Sequence, residues 1–310
     1  MLSKLLKPRF PSAAVGIEKG TASIVQLDRR RGGFVIRRAS SVNLPHDLIR
    51  PTFDESNITD PSELVAALSD LMTSAGLLRQ RKWSVALPEA SSKAAILTLE
   101  GAAGSRSEVE EVLEWKTERA LGAPINELRI ARESLPPNEQ KQTRYLVTGV
   151  RLDVLAEYES VFAALGWQTG LILPRHAGEE QWLRNGQHGD ALLLTTHNEG
   201  FTAVLMRRNQ PVTLRSVVCD KDECDDELHR FLLFYRDRAG APAGKEAPSV
   251  DRLLVLGRLL DKQHVVDVLR DTLGVSLRPL DASDVGLTIP AGEIPFDLIA
   301  APAGLARLAW

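Results

Sequence analysis

The stretch that decides the fold is Ala14-Val-Gly-Ile-Glu-Lys-Gly-Thr-Ala-Ser-Ile-Val-Gln-Leu-Asp28, in which two apolar runs flank a polar turn. This alternation predicts a strand, a tight turn and a second strand. Gly20 suits a turn that needs positive φ or a close backbone approach. Thr21 and Ser23 add hydroxyls beside the turn amides, an arrangement that can hold an anion. On local spacing alone, an ordinary hairpin with a polar tip is the simpler interpretation.

The composition is that of a globular protein with two domains or with one elaborated two-lobed unit. Of its 310 residues, 44% are hydrophobic, which supports a sizeable core, and 25% are charged. The net charge of −3, with both signs mixed along the chain, argues against a general nucleic-acid binder. The two cysteines, Cys219 and Cys224, predict reduced thiols in a cytosolic protein rather than a disulfide framework or a zinc site.

Neither a membrane span nor a signal peptide is expected. No apolar run approaches the ~20 residues that a membrane-spanning helix needs. The basic start, Met1–Arg9, has no long apolar segment behind it. It is compatible with contact to an anionic membrane surface, but a frayed, solvated terminus is the simpler interpretation.

The chain repeats the layout of its opening stretch further on. Residues Ala191–Met206 predict strand, polar turn and strand, and Val212–Val218 predicts a third strand. In the first copy, Phe34–Arg38 supplies the third strand. This internal duplication is the most informative organisational signal in the sequence.

Helices and a small module lie between and after the two copies. Asp60 is predicted to cap a helix that ends near Gly76. Residues near 91–150 predict a compact α+β module, whose helix begins at Ser107 with capping-box spacing to Glu110. Further helices are predicted at about 152–165, 222–238 and 263–273.

Several short stretches occur in the order and spacing of one protein family. They are Gly16–Ser23, the Asp60-Pro61 helix ending in Ala75-Gly76-Leu77, Val85–Pro88, Glu110–Lys116, Val204–Ser216, Phe231–Arg236, Leu254–Gly257 and Gly304–Ala306. On these residues the sequence resembles the PilM family of type IV pilus assembly proteins, a branch of the actin-like ATPase superfamily related to the cell-division protein FtsA. The resemblance covers nearly the whole chain and depends on the order of the motifs rather than on any single one.

The resemblance implies an α/β architecture, a two-lobed actin-like (ribonuclease H-like, duplicated) fold with an inserted FtsA-type α+β subdomain. Residues 1–90 are then the first lobe, and residues 91–150 are the inserted subdomain. Residues 151–310 are then the remainder of the first lobe and the second lobe. Proteins of this superfamily bind ATP with Mg²⁺. The resemblance places the nucleotide-contacting positions in three turns: Glu18, Gly20, Thr21 and Ser23; Thr195 and His197; and Gly257 and Arg258.

The sequence departs from the superfamily pattern in all three turns. Glu18 stands where Asp is usual, and one extra methylene displaces the carboxylate enough to disturb a Mg²⁺ shell. Thr195-Thr196-His197 replaces Asp-x-Gly, and Arg258 follows Gly257 where a second glycine is usual. We therefore expect no efficient ATP hydrolysis, no catalytic residue and no metal ligand set. Whether nucleotide binds is left open by the sequence. Lys19 or Arg258 either supplies the positive charge that a lost metal ion would have provided, or is an ordinary solvated surface residue.

The resemblance implies a cytoplasmic scaffold that binds the short N-terminal tail of a PilN-like inner-membrane protein, with other pilus assembly components as further partners. It places the groove between the first lobe and the inserted module, near the strand Lys93–Glu100 and the helix from Ser107. Trp115 is the candidate anchor for the tail, and core packing of its helix is the alternative. Recruitment through a partner then puts the chain at the inner membrane, and homo-oligomers stay possible. The other hypotheses are an ATP-gated switch or ATPase of the same machine, a type II secretion component of the GspL type, and, more remotely, a sugar-kinase-like enzyme.

Overall fold

The computed structural model describes residues 10–100, 105–138, 140–184, 189–238, 250–257, 259–290 and 294–310. Within them the strands, in chain order, are β1 (Ala13–Ile17), β2 (Thr21–Arg30), β3 (Gly33–Asn43), β4 (Lys82–Leu87), β5 (Lys93–Leu99), β6 (Leu128–Leu135), β7 (Thr143–Arg151), β8 (Gln168–Pro174), β9 (Asp190–His197), β10 (Gly200–Arg207), β11 (Gln210–Val218), β12 (Val250–Leu256) and β13 (Leu287–Thr288). The α-helices are α1 (Pro61–Ser74), α2 (Arg106–Leu121), α3 (Leu152–Ala164), α4 (Arg175–Glu179), α5 (Cys224–Arg238), α6 (Lys262–Leu273) and α7 (Phe296–Arg307). Met1–Arg9 and Arg258, which carried predictions, lie outside the described residues.

The chain divides into two compact units. Unit 1 comprises Met1–Ser91, Asp153–Trp182 and Ala282–Trp310, and unit 2 comprises Ser92–Leu152 and Leu183–Asp281. Each unit is therefore built from segments that are distant in sequence.

Unit 1 contains a sheet in the order β13-β3-β2-β1-β4-β8. β1 and β2 pair antiparallel with Ile17 opposite Ala22, so the opening stretch forms the predicted strand, tight turn and strand. All five residues of β1 are buried, because β1 lies between two strands and α7 packs against it. β4 pairs parallel with β1 on its other side.

Unit 2 repeats this pattern of strand pairing. Its larger sheet has the order β11-β10-β9-β12, with β9, β10 and β11 antiparallel and β12 parallel to β9. In unit 1 the strands β3-β2-β1-β4 have the same arrangement: β1, β2 and β3 are antiparallel, and β4 is parallel to β1. The predicted duplication is thus confirmed at the level of topology, although the two copies differ in sequence.

A smaller antiparallel sheet, β5-β7-β6, also belongs to unit 2 and carries α2. Leu97, Leu113 and Val147 form the centre of its core. α2 begins at Arg106 with Ser105 as N-cap, and Ser105 forms a capping box with Glu108. The prediction that Ser107 caps this helix was wrong, because both serines precede a glutamate by three residues and spacing alone does not distinguish them.

Candidate functional site

The turn between β1 and β2 is a tight hairpin connection. The Glu18 amide donates to the Thr21 carbonyl over 2.8 Å, which closes the turn around Lys19 and Gly20. Gly20 is exposed, does not adopt positive φ, and has no atom within 4 Å of the place where a Cβ would stand. Neither positive φ nor a close approach within the chain therefore requires glycine here, and the turn has the ordinary hairpin conformation that the local spacing favours.

The hydroxyl of Ser23 contacts the protein interior rather than the turn. It donates to the carbonyl oxygen of Leu298 in α7 over 2.6 Å, and the residue is 5% exposed. Ser23 therefore ties β2 to α7. This contact gives the hydroxyl a structural role within unit 1.

The carboxylate of Glu18 is held by a buried arginine. Glu18 Oε2 lies 2.6 Å from Arg175 Nη1, and Arg175 Nε lies 2.5 Å from Glu179 Oε1. The side chain of Arg175 is only 3% exposed, that of Glu179 is fully buried, and that of Glu18 is 33% exposed. One guanidinium thus bridges two carboxylates, a geometry in which arginine is particularly effective.

Local sequence explains how Arg175 reaches this position. β8 ends at Pro174, which is the N-cap of α4, and Arg175 is the first residue of that helix. Arg175 and Glu179 are four residues apart, so they lie on one helix face. Burial alone would lower the pKa of Arg175, but the carboxylates of Glu179, Glu18 and Glu89 outweigh burial and raise it. The guanidinium is therefore charged at every accessible pH.

These residues do not fit a magnesium site at Glu18. A Mg²⁺ ion bound here would need the Glu18 carboxylate or a water positioned by it, and the guanidinium of Arg175 already supplies the compensating positive charge. Among the residues that the structure describes, no group of three or more His, Cys, Asp or Glu side chains could hold a metal ion.

A second buried ion pair lies beside the first. His176 Nδ1 is 2.5 Å from Glu89 Oε1, and the His176 amide donates to Glu89 Oε2 over 3.0 Å. Both side chains are almost fully buried. Burial by itself would lower the pKa of His176, but Glu89, Glu180 and Glu179 outweigh it and raise it.

Sequence reasoning missed this group of charged residues. It assigned no role to the Arg175-His176 and Glu179-Glu180 pairs, which directly follow the proline that ends β8. Their i,i+4 spacing directly after a strand and a proline was the available signal for a charged helical turn.

In unit 2, the end of β9 and the end of β12 lie against each other. The hydroxyl of Thr196 donates to the Leu256 carbonyl over 3.1 Å and accepts from the Leu259 amide over 3.2 Å. Gly257 has φ of +91°, and a Cβ there would overlap the Thr196 carbonyl oxygen. Glycine is therefore required at position 257 both by its conformation and by the close approach.

The structure thus brings together the second and third predicted turns within unit 2. Thr195 is completely buried. His197 is mostly buried, with Nδ1 3.4 Å from Glu199 Oε2, and its Nε2 atom has no hydrogen-bond partner in the described part of the chain. An imidazole therefore fills the position at which the resemblance expects a glycine backbone to approach phosphate.

Trp115 lies on the surface of α2. Its side chain is 56% exposed, and the guanidinium of Arg119 lies over the ring at 5.6 Å from the ring centre. Val112, one turn earlier on the same face, is 45% exposed. The alternative that Trp115 packs in the core was wrong, and this face of α2 presents two large apolar side chains to solvent.

No helix in the described residues combines the length and the hydrophobicity that crossing a bilayer requires.

The duplicated sheets, each with an antiparallel meander and a parallel fourth strand, define an actin-like fold. The PilM-PilN type IV pilus biogenesis complex superposes with a TM-score of 0.76 at 18% identity, covering 97% of this chain and 99% of that one. The cytoplasmic domain of EpsL, an inner-membrane component of the type II secretion system of Vibrio cholerae, superposes with a TM-score of 0.49 at 11% identity. This match covers 96% of this chain and 93% of that one. A Bacteroides thetaiotaomicron protein with an actin-like ATPase fold superposes with a TM-score of 0.46 at 10% identity, covering 94% of this chain and 95% of that one.

No protein-family model matches the sequence, and no curated protein matches it significantly. The likeness to the PilM-PilN complex, at 18% identity, establishes the fold alone, and this fold is the one predicted from the sequence.

Proposed function

We propose that this chain is a cytoplasmic actin-like scaffold of type IV pilus assembly that binds the tail of a PilN-like inner-membrane protein and does not hydrolyse ATP. The fold supports this proposal, since the PilM-PilN complex matches over nearly the full length of both chains. Recruitment through that tail would bring the chain to the inner membrane.

The observation that carries the proposal is the ion pair between Glu18 and Arg175. Catalysis of phosphoryl transfer in this fold needs a carboxylate that positions a metal ion and its water. Here the carboxylate is bound to a guanidinium that the protein itself holds in place, with 2.6 Å between the charged atoms. The Thr195 and His197 positions lack the carboxylate and the glycine of the superfamily pattern, which supports the same conclusion.

The exposed face of α2 supports the partner-binding part of the proposal. Trp115 and Val112 offer apolar area to solvent, and the Arg119 guanidinium stacks on the indole. Exposed tryptophan with a neighbouring arginine is the composition typical of residues that dominate binding energy at protein interfaces. A tail that becomes ordered on this surface would gain both an apolar anchor and hydrogen bonds.

The proposed partner contact is tested by titrating a fluorescent peptide of the PilN-like tail into the purified chain. Trp115→Ala should weaken binding by at least tenfold, as expected for an interface anchor. Trp310→Ala is the matched control, because Trp310 is 48% exposed and lies in unit 1. Equal affinities of wild type, Trp115→Ala and Trp310→Ala would remove Trp115 from the interface. Absence of binding to any such tail would overturn the scaffold proposal.

The absence of hydrolysis is tested by phosphate release at saturating ATP with Mg²⁺. Wild type and Glu18→Ala should both remain at the level of buffer. Turnover that disappears in Glu18→Ala would show that Glu18 is catalytic. A nucleotide titration with and without Mg²⁺ then discriminates the scaffold from an ATP-gated switch, which requires nucleotide binding.

A further inference from the structure

The two cysteines of the chain lie side by side in unit 2. Cys219 Sγ and Cys224 Sγ are 2.6 Å apart, closer than two non-bonded sulfur atoms normally approach, whereas a disulfide bond measures about 2.05 Å. Both thiols are free, and the residues are 9% and 0% exposed. The backbone therefore already holds the two sulfur atoms near bonding distance.

Their positions in the fold explain this proximity. Cys219 directly follows β11, and Cys224 is the first residue of α5. The amide of Cys224 donates to the Asp220 carbonyl over 3.1 Å, which folds the connecting segment into a compact turn. The cysteines thus sit at the two ends of one short loop.

This loop is attached to the turn that carries His197. The amide of Cys219 donates to the Glu199 carbonyl over 3.1 Å. Glu199 Oε2 in turn lies 3.4 Å from the His197 ring. The geometry of the cysteine pair is therefore fixed against the β9–β10 turn.

We propose that Cys219 and Cys224 form a reversible redox modification site, which closes to an intramolecular disulfide when it meets a low-molecular-weight disulfide such as glutathione disulfide. This site is independent of the proposed scaffold function, because it depends only on the local geometry of β11 and α5.

The exchange proceeds in two balanced steps. The Cys219 thiolate attacks one sulfur of the glutathione disulfide, forming a mixed disulfide and releasing one glutathione thiolate. The Cys224 thiolate then attacks Cys219 Sγ, forming the Cys219–Cys224 bond and releasing the second glutathione. The two protein thiols lose two electrons and two protons, which the two glutathione molecules carry away as thiols.

The order of the steps follows from exposure and environment. Cys219 is the more exposed of the two residues, so the reagent reaches it first. Burial, then the hydrogen bond and charge of Cys219, and then the charges of Asp225 and Asp220 raise the pKa of Cys224 to about 12. Cys224 is therefore a slow attacking group, and the equilibrium rather than the rate is the property to measure.

The test equilibrates the full-length wild-type chain in glutathione buffers of increasing oxidation, followed by acid quenching and mass spectrometry. The native chain should lose two hydrogen atoms, without a glutathione adduct, and dithiothreitol should restore them. The same titration in urea gives the reference for the unfolded loop. Because the folded backbone prealigns the sulfur atoms, the native chain should be half oxidised at a ratio of reduced to oxidised glutathione at least about tenfold higher than the unfolded chain requires. A native midpoint that is equal to the unfolded one, or more oxidising, overturns the proposal, as does a stable adduct on both thiols.

Two single variants test the order of the steps. Cys224→Ser should accumulate the glutathione adduct on Cys219, whereas Cys219→Ser should remain largely unmodified. Equal labelling of the two variants would overturn the assignment of Cys219 as the first thiol. Should a variant fail to fold, the wild-type titration still decides the proposal.

Discussion

The guanidinium of Arg175 lies 2.6 Å from the carboxylate of Glu18, so the residue to which the resemblance assigns a metal-positioning role is bound to a cation of the protein itself. The same guanidinium binds Glu179, which is completely buried. Two segments that are distant in sequence, the β1–β2 turn and α4, are thereby joined by charge inside unit 1.

Replacing Arg175 should destabilise unit 1 strongly. Arg175→Leu removes the guanidinium that pairs with the buried Glu179 carboxylate, and breaking a buried pair by removing one member costs about 3–5 kcal/mol. The measurement is urea unfolding followed by the fluorescence of Trp83, Trp167 and Trp182, which are buried in unit 1. Arg37→Leu is the control, since the pair of Arg37 with Asp28 is 4.0 Å long and exposed, and its loss should cost less than about 1 kcal/mol. Equal losses for the two variants would contradict the structural role of Arg175.

His176 should make stability depend on pH. The carboxylates around it raise its pKa in the folded state despite its burial. The contribution of protonated His176 to the free energy of unfolding is therefore fully present below the pKa of about 6.5 that histidine has in the unfolded chain. It is lost as pH rises through the folded-state pKa. Urea unfolding of wild type and His176→Gln between about pH 5.5 and 8.5 measures this difference, which should shrink as pH rises. A difference that is constant, or that grows with pH, would show that Glu89 does not hold the imidazolium.

Gly257 should tolerate no side chain. Gly257→Ala places a Cβ against the Thr196 carbonyl at a residue with φ of +91°, so the loss should exceed about 2 kcal/mol. Gly274→Ala is the matched control, because Gly274 has φ of +70° but open space around it, and backbone strain alone costs about 1–2 kcal/mol. Thermal unfolding followed by circular dichroism compares the two. Equal losses would mean that the close approach to Thr196 contributes nothing.

Trp115 should be dispensable for folding. An exposed side chain removed by Trp115→Ala should change the free energy of unfolding by no more than about 0.5 kcal/mol. Trp83→Ala removes a fully buried tryptophan and should cost about 3–5 kcal/mol. Circular dichroism in urea measures both. A large loss in Trp115→Ala would show that its helix depends on the indole for packing, and would weaken its use as an interface probe.

Much of the fold could be predicted because its signals are local. The apolar runs that contain Val15, Ile17 and Ile24 indicate two strands, and β1 and β2 form as predicted. Asp60 caps α1 through the amides of its first turn, as its type and position indicate. The N-cap of α2 could not be chosen between Ser105 and Ser107 by spacing, because each serine precedes a glutamate by three residues, as a capping box requires.

The candidate site was less accessible from the sequence. The positions of Thr195, His197 and Gly257 followed from the order of the motifs, and unit 2 does bring the Thr195–His197 and Gly257 turns together. The hydrogen bond from Ser23 to Leu298 spans 275 positions, and no local pattern indicates it. The exposure of Trp115 was equally hidden, because α2 carries apolar residues on more than one face and only packing against β5 selects the buried one.

The sequence by itself therefore determined the strands of the two copies, the Asp60 cap and the duplicated order of elements, since these depend on side-chain periodicity and on hydrogen bonds between near neighbours. Only the tertiary structure decided that Arg175 neutralises Glu18, that Ser23 is bound to α7, and that Cys219 and Cys224 face each other. Each of these contacts depends on how the chain turns or on how separate segments pack. The packing of the whole core sets the distances between the contacting atoms, and the residue types at the contact do not.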